Sequence, residues 1–185
     1  MKQSRRPPIL GTEPPEAFIG FGQPILAPVS GIVEAVHDGE RDHEARRSQL
    51  ALIPYMLGQR GRLREGVGAI AGNHVIVKVA SVYVAIVHLQ RASIQVSEGD
   101  EIVEGEAIAR CGNSGNSTQP HVHLQAMDGL DLTHTRGIPI AFRGFWEKPS
   151  GHLDFERRTI GIPNEGSVVQ SELHGIPQTP TSGTP

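Results

Sequence analysis

The stretch NHVIVKVASVYVAIVHL, residues 73–89, carries the clearest periodic signal in the chain and decides its fold class. It contains two runs rich in valine and isoleucine, residues 73–79 and 81–89, with a short break around Ala80. β-Branched residues favour strands, and two such runs joined by so short a connection are typical of an antiparallel pair. We therefore predict two paired antiparallel strands here.

Shorter strand candidates lie on both sides of this pair. They are residues 23–27, 31–36, 94–96, 102–103, 107–109 and 121–127, with one or two further strands within residues 138–160, near 140–142. The chain has 22 glycines and 14 prolines, which favour many short elements joined by turns over long helices. The sequence therefore predicts a mainly β fold.

The expected domain organisation has three parts. Residues 1–19 are Pro-rich and irregular, and residues 20–160 form one β domain. This domain contains an insertion at 37–72, charged at its start, with a short helix at 48–57. The segment 161–185 is rich in Ser, Thr, Pro and Gly, a composition typical of a disordered tail.

Composition excludes several classes of function. A net charge of −3 gives no basis for binding nucleic acid or an anionic membrane. The single cysteine, Cys111, forms no internal disulfide, and no run approaches the ~18 apolar residues of a membrane span. No apolar segment typical of a signal peptide follows the basic start, so the sequence taken literally indicates a cytoplasmic chain.

Two histidines lie two residues apart in the segment Pro120-His121-Val122-His123. On the strand predicted at 121–127, both side chains leave the same face, with Cβ atoms ~7 Å apart. One ring can then bind a metal while the other reaches the water or substrate bound to it. An isolated pair of this kind is more often simply exposed, but the small-residue loop at 112–119 brings backbone close to the start of the strand.

Other histidines have weaker support. His88 ends the strand of residues 81–89 and becomes a plausible third member of the same site when that strand lies beside His121 and His123. His74 opens a strand and is interpreted as a surface residue. The mixed run His37, Asp38, Asp42 and His43 is interpreted as a solvated turn, and His134, His152 and His174 have no supporting context.

The chain also resembles the lysostaphin-type peptidoglycan metallopeptidases. The resemblance rests on five blocks in the family's order over roughly residues 20–127: GQPILAPVSGIV (22–33), GNHVI (72–76), VHL (87–89), VSEGDEIVEG (96–105), and GNSGNS (112–117) with PHVH (120–123). Val122 and Gln119 depart mildly from the family pattern. The implied fold is an antiparallel β-sheet sandwich or open barrel, the duplicated hybrid motif.

The resemblance implies a role for each matched histidine. His123 is a zinc ligand, while His88 and His121 are the catalytic pair that orients and deprotonates the zinc-bound water and stabilises the oxyanion. Zinc lowers the pKa of bound water to about 7, and neutral imidazoles act as ligands or as bases near neutral pH. The implied activity is a zinc metalloendopeptidase that cleaves Gly-containing or D-amino-acid peptides of bacterial peptidoglycan, usually outside the cytoplasm.

One part of the family pattern is missing. The two other zinc ligands of the family, a His and an Asp upstream of the first block, have no match, because residues 1–36 contain neither residue type. Either the chain is a degenerate pseudoenzyme or it is truncated, and the retained His88, His121 and His123 favour truncation. Whether the chain is active as an enzyme is left open.

Three other classes of function share parts of this pattern. One is an inactive cell-wall-binding or regulatory module on the same fold. A second is a histidine phosphocarrier domain that would use His74 and His88. The block at 112–123 argues against this class, because a phosphocarrier has no use for it. The third is a biotinyl or lipoyl carrier, which needs a lysine at a hairpin tip, whereas Lys78 lies inside a predicted strand.

Overall fold

The computed structural model describes residues 12–45, 70–130 and 135–172. The chain divides into two compact units, Met1–Ile138 and Pro139–Pro185. The described residues are mainly β, as expected, with a 3-10 turn at Pro15–Ala17. The predicted helix at residues 48–57 lies outside the described residues.

The described residues of the first unit form eight strands. They are β1 (Pro24–Leu26), β2 (Gly31–His37), β3 (Asn73–Val79), β4 (Val82–Leu89), β5 (Glu101–Ile102), β6 (Ala107–Arg110), β7 (His123–Met127) and β8 (Gly137–Ile138). Six of them form one antiparallel sheet in the order β5-β2-β3-β4-β7-β8, and β1 pairs with β6 in a second sheet. Within the described part of the chain neither sheet closes into a barrel.

The main core lies on one face of the six-stranded sheet. Alternate residues of β3 and β4, among them Val75, Val77 and Ile86, are fully buried and pack with Ile108 and Ala109 of β6. Burying such side chains contributes about 1.5–3 kcal/mol each. The opposite face carries a smaller apolar cluster of Ile76, Ala85 and Met127, and this second face also carries the histidines described below.

The second unit is a three-stranded antiparallel sheet. Its strands are β9 (Phe142–Lys148), β10 (Glu156–Gly161) and β11 (Val168–Ser171), in the order β10-β9-β11. Glu147 of β9 is only 1% exposed and accepts hydrogen bonds from the Asn164 backbone and side chain, Ser167 Oγ and Arg158 Nε. These donors, led by the Asn164 backbone N–H, lower the pKa of Glu147 to about 2.

Three expectations differ from this structure. The expected domain end at residue 160 falls inside β10, and the segment expected to be disordered contains β11, because its valines pair with β9. Residues 94–96 are not a strand. Of these three residues only Gln95 donates a backbone hydrogen bond to β6, to the carbonyl of Ile108, so no strand ladder forms.

Candidate active site

A β-bulge brings His88 to the second face of the sheet. Asn73 pairs with Leu89 and Val75 with Ile86, so two residues of β4 oppose one residue of β3. His88 adopts a positive φ of 65° within this irregularity. Strict alternation would place His88 on the core face, whereas the bulge turns its ring towards His123 on the same face as Val87.

The ring of His88 is buried and fixed by backbone groups. It is 7% exposed, its Nδ1 donates to the carbonyl oxygen of Ser114 at 2.9 Å, and its own carbonyl accepts from the Gly112 amide at 3.1 Å. Burial, followed by the nearby ring of His121, lowers the pKa of His88 to about 4. The ring is therefore neutral at pH 7, and Nδ1 carries its proton, which leaves Nε2 as the basic nitrogen.

His121 lies beside His88, with the two ring centroids 4.9 Å apart. Its Nδ1 donates to the carbonyl of Gln119 at 2.7 Å, and Ser117 Oγ lies 3.1 Å from the same nitrogen. Ser117 is fully buried and donates to the same carbonyl. His121 thus has the same arrangement as His88, with Nδ1 on a carbonyl and Nε2 as the remaining nitrogen. Ser114 and Ser117 support the two rings, a role that the sequence did not reveal.

His123 opens β7 and pairs with Val87 of β4. Its ring centroid lies 6.4 Å from that of His88. The expectation that His121 and His123 share one strand was wrong, because β7 begins at His123 and His121 belongs to the preceding loop. The three histidines nevertheless meet around His88, as the sequence predicted.

The supporting loop is held by a close approach of two glycines. Gly72 has a φ of +64° and Gly115 a φ of +65°. A Cβ on Gly72 would lie 2.6 Å from the carbonyl carbon of Ser114, well inside van der Waals contact. Glycine at these positions therefore lets the loop reach His88.

An apolar cavity of about 230 Å³ adjoins the histidines. It is lined by His74, His88 and His123 together with Ile70, Ala71, Ile76, Ala85, Val87, Gln125 and Met127. His74 is 8% exposed and stacks on His37 at 5.4 Å, so its interpretation as a surface residue was wrong. Burial lowers the pKa of His74, and its Nδ1 bonds the Gly72 carbonyl.

The described residues do not supply a complete zinc site. A catalytic zinc takes three protein ligands and a water. Among residues 12–45, 70–130 and 135–172, no group of three or more His, Cys, Asp or Glu side chains is arranged to hold a metal ion. Among the described residues, His123 is the one to which the resemblance to the lysostaphin-type peptidases assigns metal binding.

The model of peptidase family M23 matches residues 59–140, which include His74, His88, His121 and His123. The resemblance to the M23 peptidases is confirmed. One curated relative, an uncharacterized metalloprotease of Haemophilus influenzae, is 28% identical over 127 residues, which are 66% of this chain. The match spans 20% of that relative's length.

Solved structures of M23 and related peptidases also match the chain. The catalytic domain of the prophage-encoded M23 protein EnpA from Enterococcus faecalis is 21% identical with a TM-score of 0.43, over 72% of this chain and 81% of that one. The catalytic domain of lysostaphin from Staphylococcus simulans is 19% identical with a TM-score of 0.43, over 65% and 70%. A zinc containing peptidase from Vibrio cholerae is 21% identical with a TM-score of 0.39, over 57% and 24%.

Proposed function

We propose that this chain is a cell-wall peptide hydrolase of the M23 kind, with His88 and His121 as its catalytic pair and His123 as a zinc ligand. The observation that carries the proposal is the convergence of these three rings, two of them with Nδ1 anchored on a backbone carbonyl. The M23 match over residues 59–140 supports it. The proposal requires zinc donors in addition to His123.

The anchored tautomers define what the pair does with a peptide. With Nδ1 protonated and held, Nε2 of each ring accepts a proton, and once protonated it donates a hydrogen bond to a peptide oxygen. The low pKa of His88 keeps its ring neutral at pH 7. His121 lies in the loop before β7, and its side chain is exposed. Because Nε2 of the neutral His88 ring accepts a hydrogen bond, His88 is assigned the role of acceptor towards the attacking water, and His121 the proton transfer to the peptide.

The test is the appearance of new amino termini when the purified chain, supplied with zinc, is incubated with bacterial peptidoglycan. H121A is expected to slow release by about 10²–10⁴-fold, the usual contribution of a positioned acid or base. H152A is the matched control, because His152 lies in the second unit and is not among the residues that line the cavity or contact the three rings in the described part of the chain. Equal release by the wild type and H121A would contradict the assignment.

A second candidate is a cell-wall-binding module that does not hydrolyse its ligand. It is favoured by one observation, that the described residues contain no group able to hold a metal ion. The two functions differ in a pull-down with insoluble peptidoglycan. Retention of the chain with no new amino termini, at saturating zinc, supports the binding module, whereas release of peptides supports the hydrolase.

A further inference from the structure

The segment after β2, residues 38–45, packs across the loops that hold the histidines. The sequence predicts a solvated turn for its charged residues, and this prediction is wrong. Their side chains form hydrogen bonds to the main chain of two other segments. One is the end of β4 and the turn after it, residues 88–92, and the other is the loop 111–115. We call residues 38–45 the strap.

Asp42 makes the central connection. Its Oδ2 accepts from the Arg91 amide at 2.9 Å, and its Oδ1 accepts from the Asn113 amide at 2.6 Å. One carboxylate thereby joins the turn that follows His88 to the loop that contains Ser114. Hydrogen bonds from backbone N–H groups to a charged acceptor are about twice as strong as those between neutral groups.

His43 extends the same connection by one residue. Its Nε2 donates to the Gly115 carbonyl at 2.8 Å, and its carbonyl accepts from Asn113 Nδ2 at 2.6 Å. Asp42 and His43 therefore hold the residues on both sides of Ser114. The Ser114 carbonyl is the acceptor for Nδ1 of His88, so the strap acts on His88 through the position of this one carbonyl.

The strap itself is anchored to the core by Asn73. This side chain is fully buried, and its Oδ1 accepts from the amides of Gly39 and Glu40. Its Nδ2 donates to the carbonyls of Glu40 and Leu89. Asn73 belongs to the bulged β3–β4 pair, so the strap and the bulge that turns His88 share one support.

We propose that Asp42 is a positioning residue for the catalytic pair, which fixes the Ser114 carbonyl and, through it, the ring of His88. This inference rests on the proposed function for its consequence in catalysis, but its structural content is measured without any substrate. Asp42 is not among the residues that line the cavity, and it is assigned an effect on His88 only through the two loops that it bonds.

The first measurement is amide exchange by NMR on the zinc-free chain. In the wild type the amides of Arg91 and Asn113 are expected to be protected, although both lie outside strands. D42N keeps one acceptor oxygen and loses the other, and it is expected to speed exchange of at least one of these amides by about tenfold, as the loss of a charged hydrogen bond implies. D100N is the matched control, since Asp100 accepts a hydrogen bond from the Ser97 amide in a turn outside the strap and the two loops that it bonds.

The second measurement is the ¹⁵N signature of the His88 ring. The wild type is expected to show the Nδ1–H tautomer, and D42N is expected to shift this signal towards a mixture of tautomers. Asp38 accepts a hydrogen bond from the Ala92 amide. D38N weakens this bond alone and is expected to leave the ring signal unchanged. A change that is merely structural would affect D38N and D42N alike.

The outcomes separate the two proposals. Unprotected Arg91 and Asn113 amides in the wild type overturn the positioning role, whether or not D42N folds. An unchanged His88 signal in folded D42N overturns it as well. Where the wild type releases peptides, D42N is expected to lower kcat with KM little changed. Absence of hydrolysis in the wild type overturns only the proposed function, because exchange and ring signals are read without it.

Discussion

Nδ1 of His88 donates a hydrogen bond to the carbonyl oxygen of Ser114 at 2.9 Å, across 26 residues of sequence. The acceptor belongs to a loop that packs against Gly72 on one side. On the other side the strap forms hydrogen bonds to the loop's main chain. The geometry of the site thus depends on contacts outside the histidines themselves.

Gly72→Ala is expected to destabilise the first unit by about 3 kcal/mol, since it combines a strained backbone with a contact against the Ser114 main chain. Gly99→Ala is the control, because Gly99 also has a positive φ of +91° but nothing lies within 4 Å of its Cβ position. Its cost is expected to be about 1 kcal/mol. Urea unfolding of both variants measures the difference, and equal losses would contradict the close packing of Gly72.

His88 in the zinc-free chain is expected to titrate with a pKa of about 4, since burial and the ring of His121 both disfavour its charged form. H121A removes the second cause and is expected to raise this pKa, leaving it below 6.5 because burial is the larger cause. H37A serves as the control, because the ring of His37 lowers the pKa of His74 and is not a cause of the shift at His88. The ¹H–¹⁵N signals of the imidazoles report each titration, and an unperturbed His88 would contradict its buried position.

The same shift fixes a pH dependence of stability. The pKa of His88 is lower in the folded chain than in the unfolded one, so the unfolded chain binds the proton first. The stability that the neutral ring contributes is complete above about pH 6.5 and is lost as the pH falls from there to about 4.

How far the sequence alone predicts this site depends on which residue is considered. His121, His123 and His88 follow from motif blocks whose order survives in the chain, and the strands that carry them follow from period-2 patterns. The bulge does not follow, because no local pattern marks the register shift between Asn73 and Val75. A strictly alternating β4 would have sent His88 to the core face.

The strap was missed for a related reason. Its Asp and His residues bond to amides and carbonyls 49–72 positions away, and such partners leave no periodic signal in the sequence. Likewise, β11 lies in a segment whose composition is typical of a tail, and only its pairing with β9 makes it a strand. Tertiary contacts therefore determine the structure of both segments.

Glu147 provides a prediction for the second unit. Its pKa is lowered to about 2, first by the Asn164 backbone N–H and next by Ser167, so its carboxylate contributes stability above pH 4.5 that is lost as the pH falls towards 2. E147Q is expected to destabilise this unit at pH 7, with the difference from the wild type shrinking towards pH 2. E156Q is the control, because Glu156 is largely exposed. Hydrogen exchange of β9 measures both, and a pH-independent difference would contradict the assignment.

The cavity beside the histidines provides a test of peptide binding. Gln125 is exposed at its rim on β7, so Q125W is expected to cover the opening while leaving the fold intact. We expect its Kd for soluble cell-wall peptide to rise about tenfold. Ile32→Trp places the same ring on an exposed position of β2 and serves as the control. Calorimetric titration distinguishes them, and equal Kd values would place the peptide elsewhere.

We propose that His123 belongs to the zinc site of a cell-wall peptide hydrolase, and the zinc content of the purified chain shows whether it does. After zinc loading and gel filtration, the wild type is expected to retain about one zinc per chain, as a catalytic site does, and H123A to retain none. H152A is expected to match the wild type. A wild-type chain without zinc, or one whose zinc is unaffected by H123A, contradicts the claim.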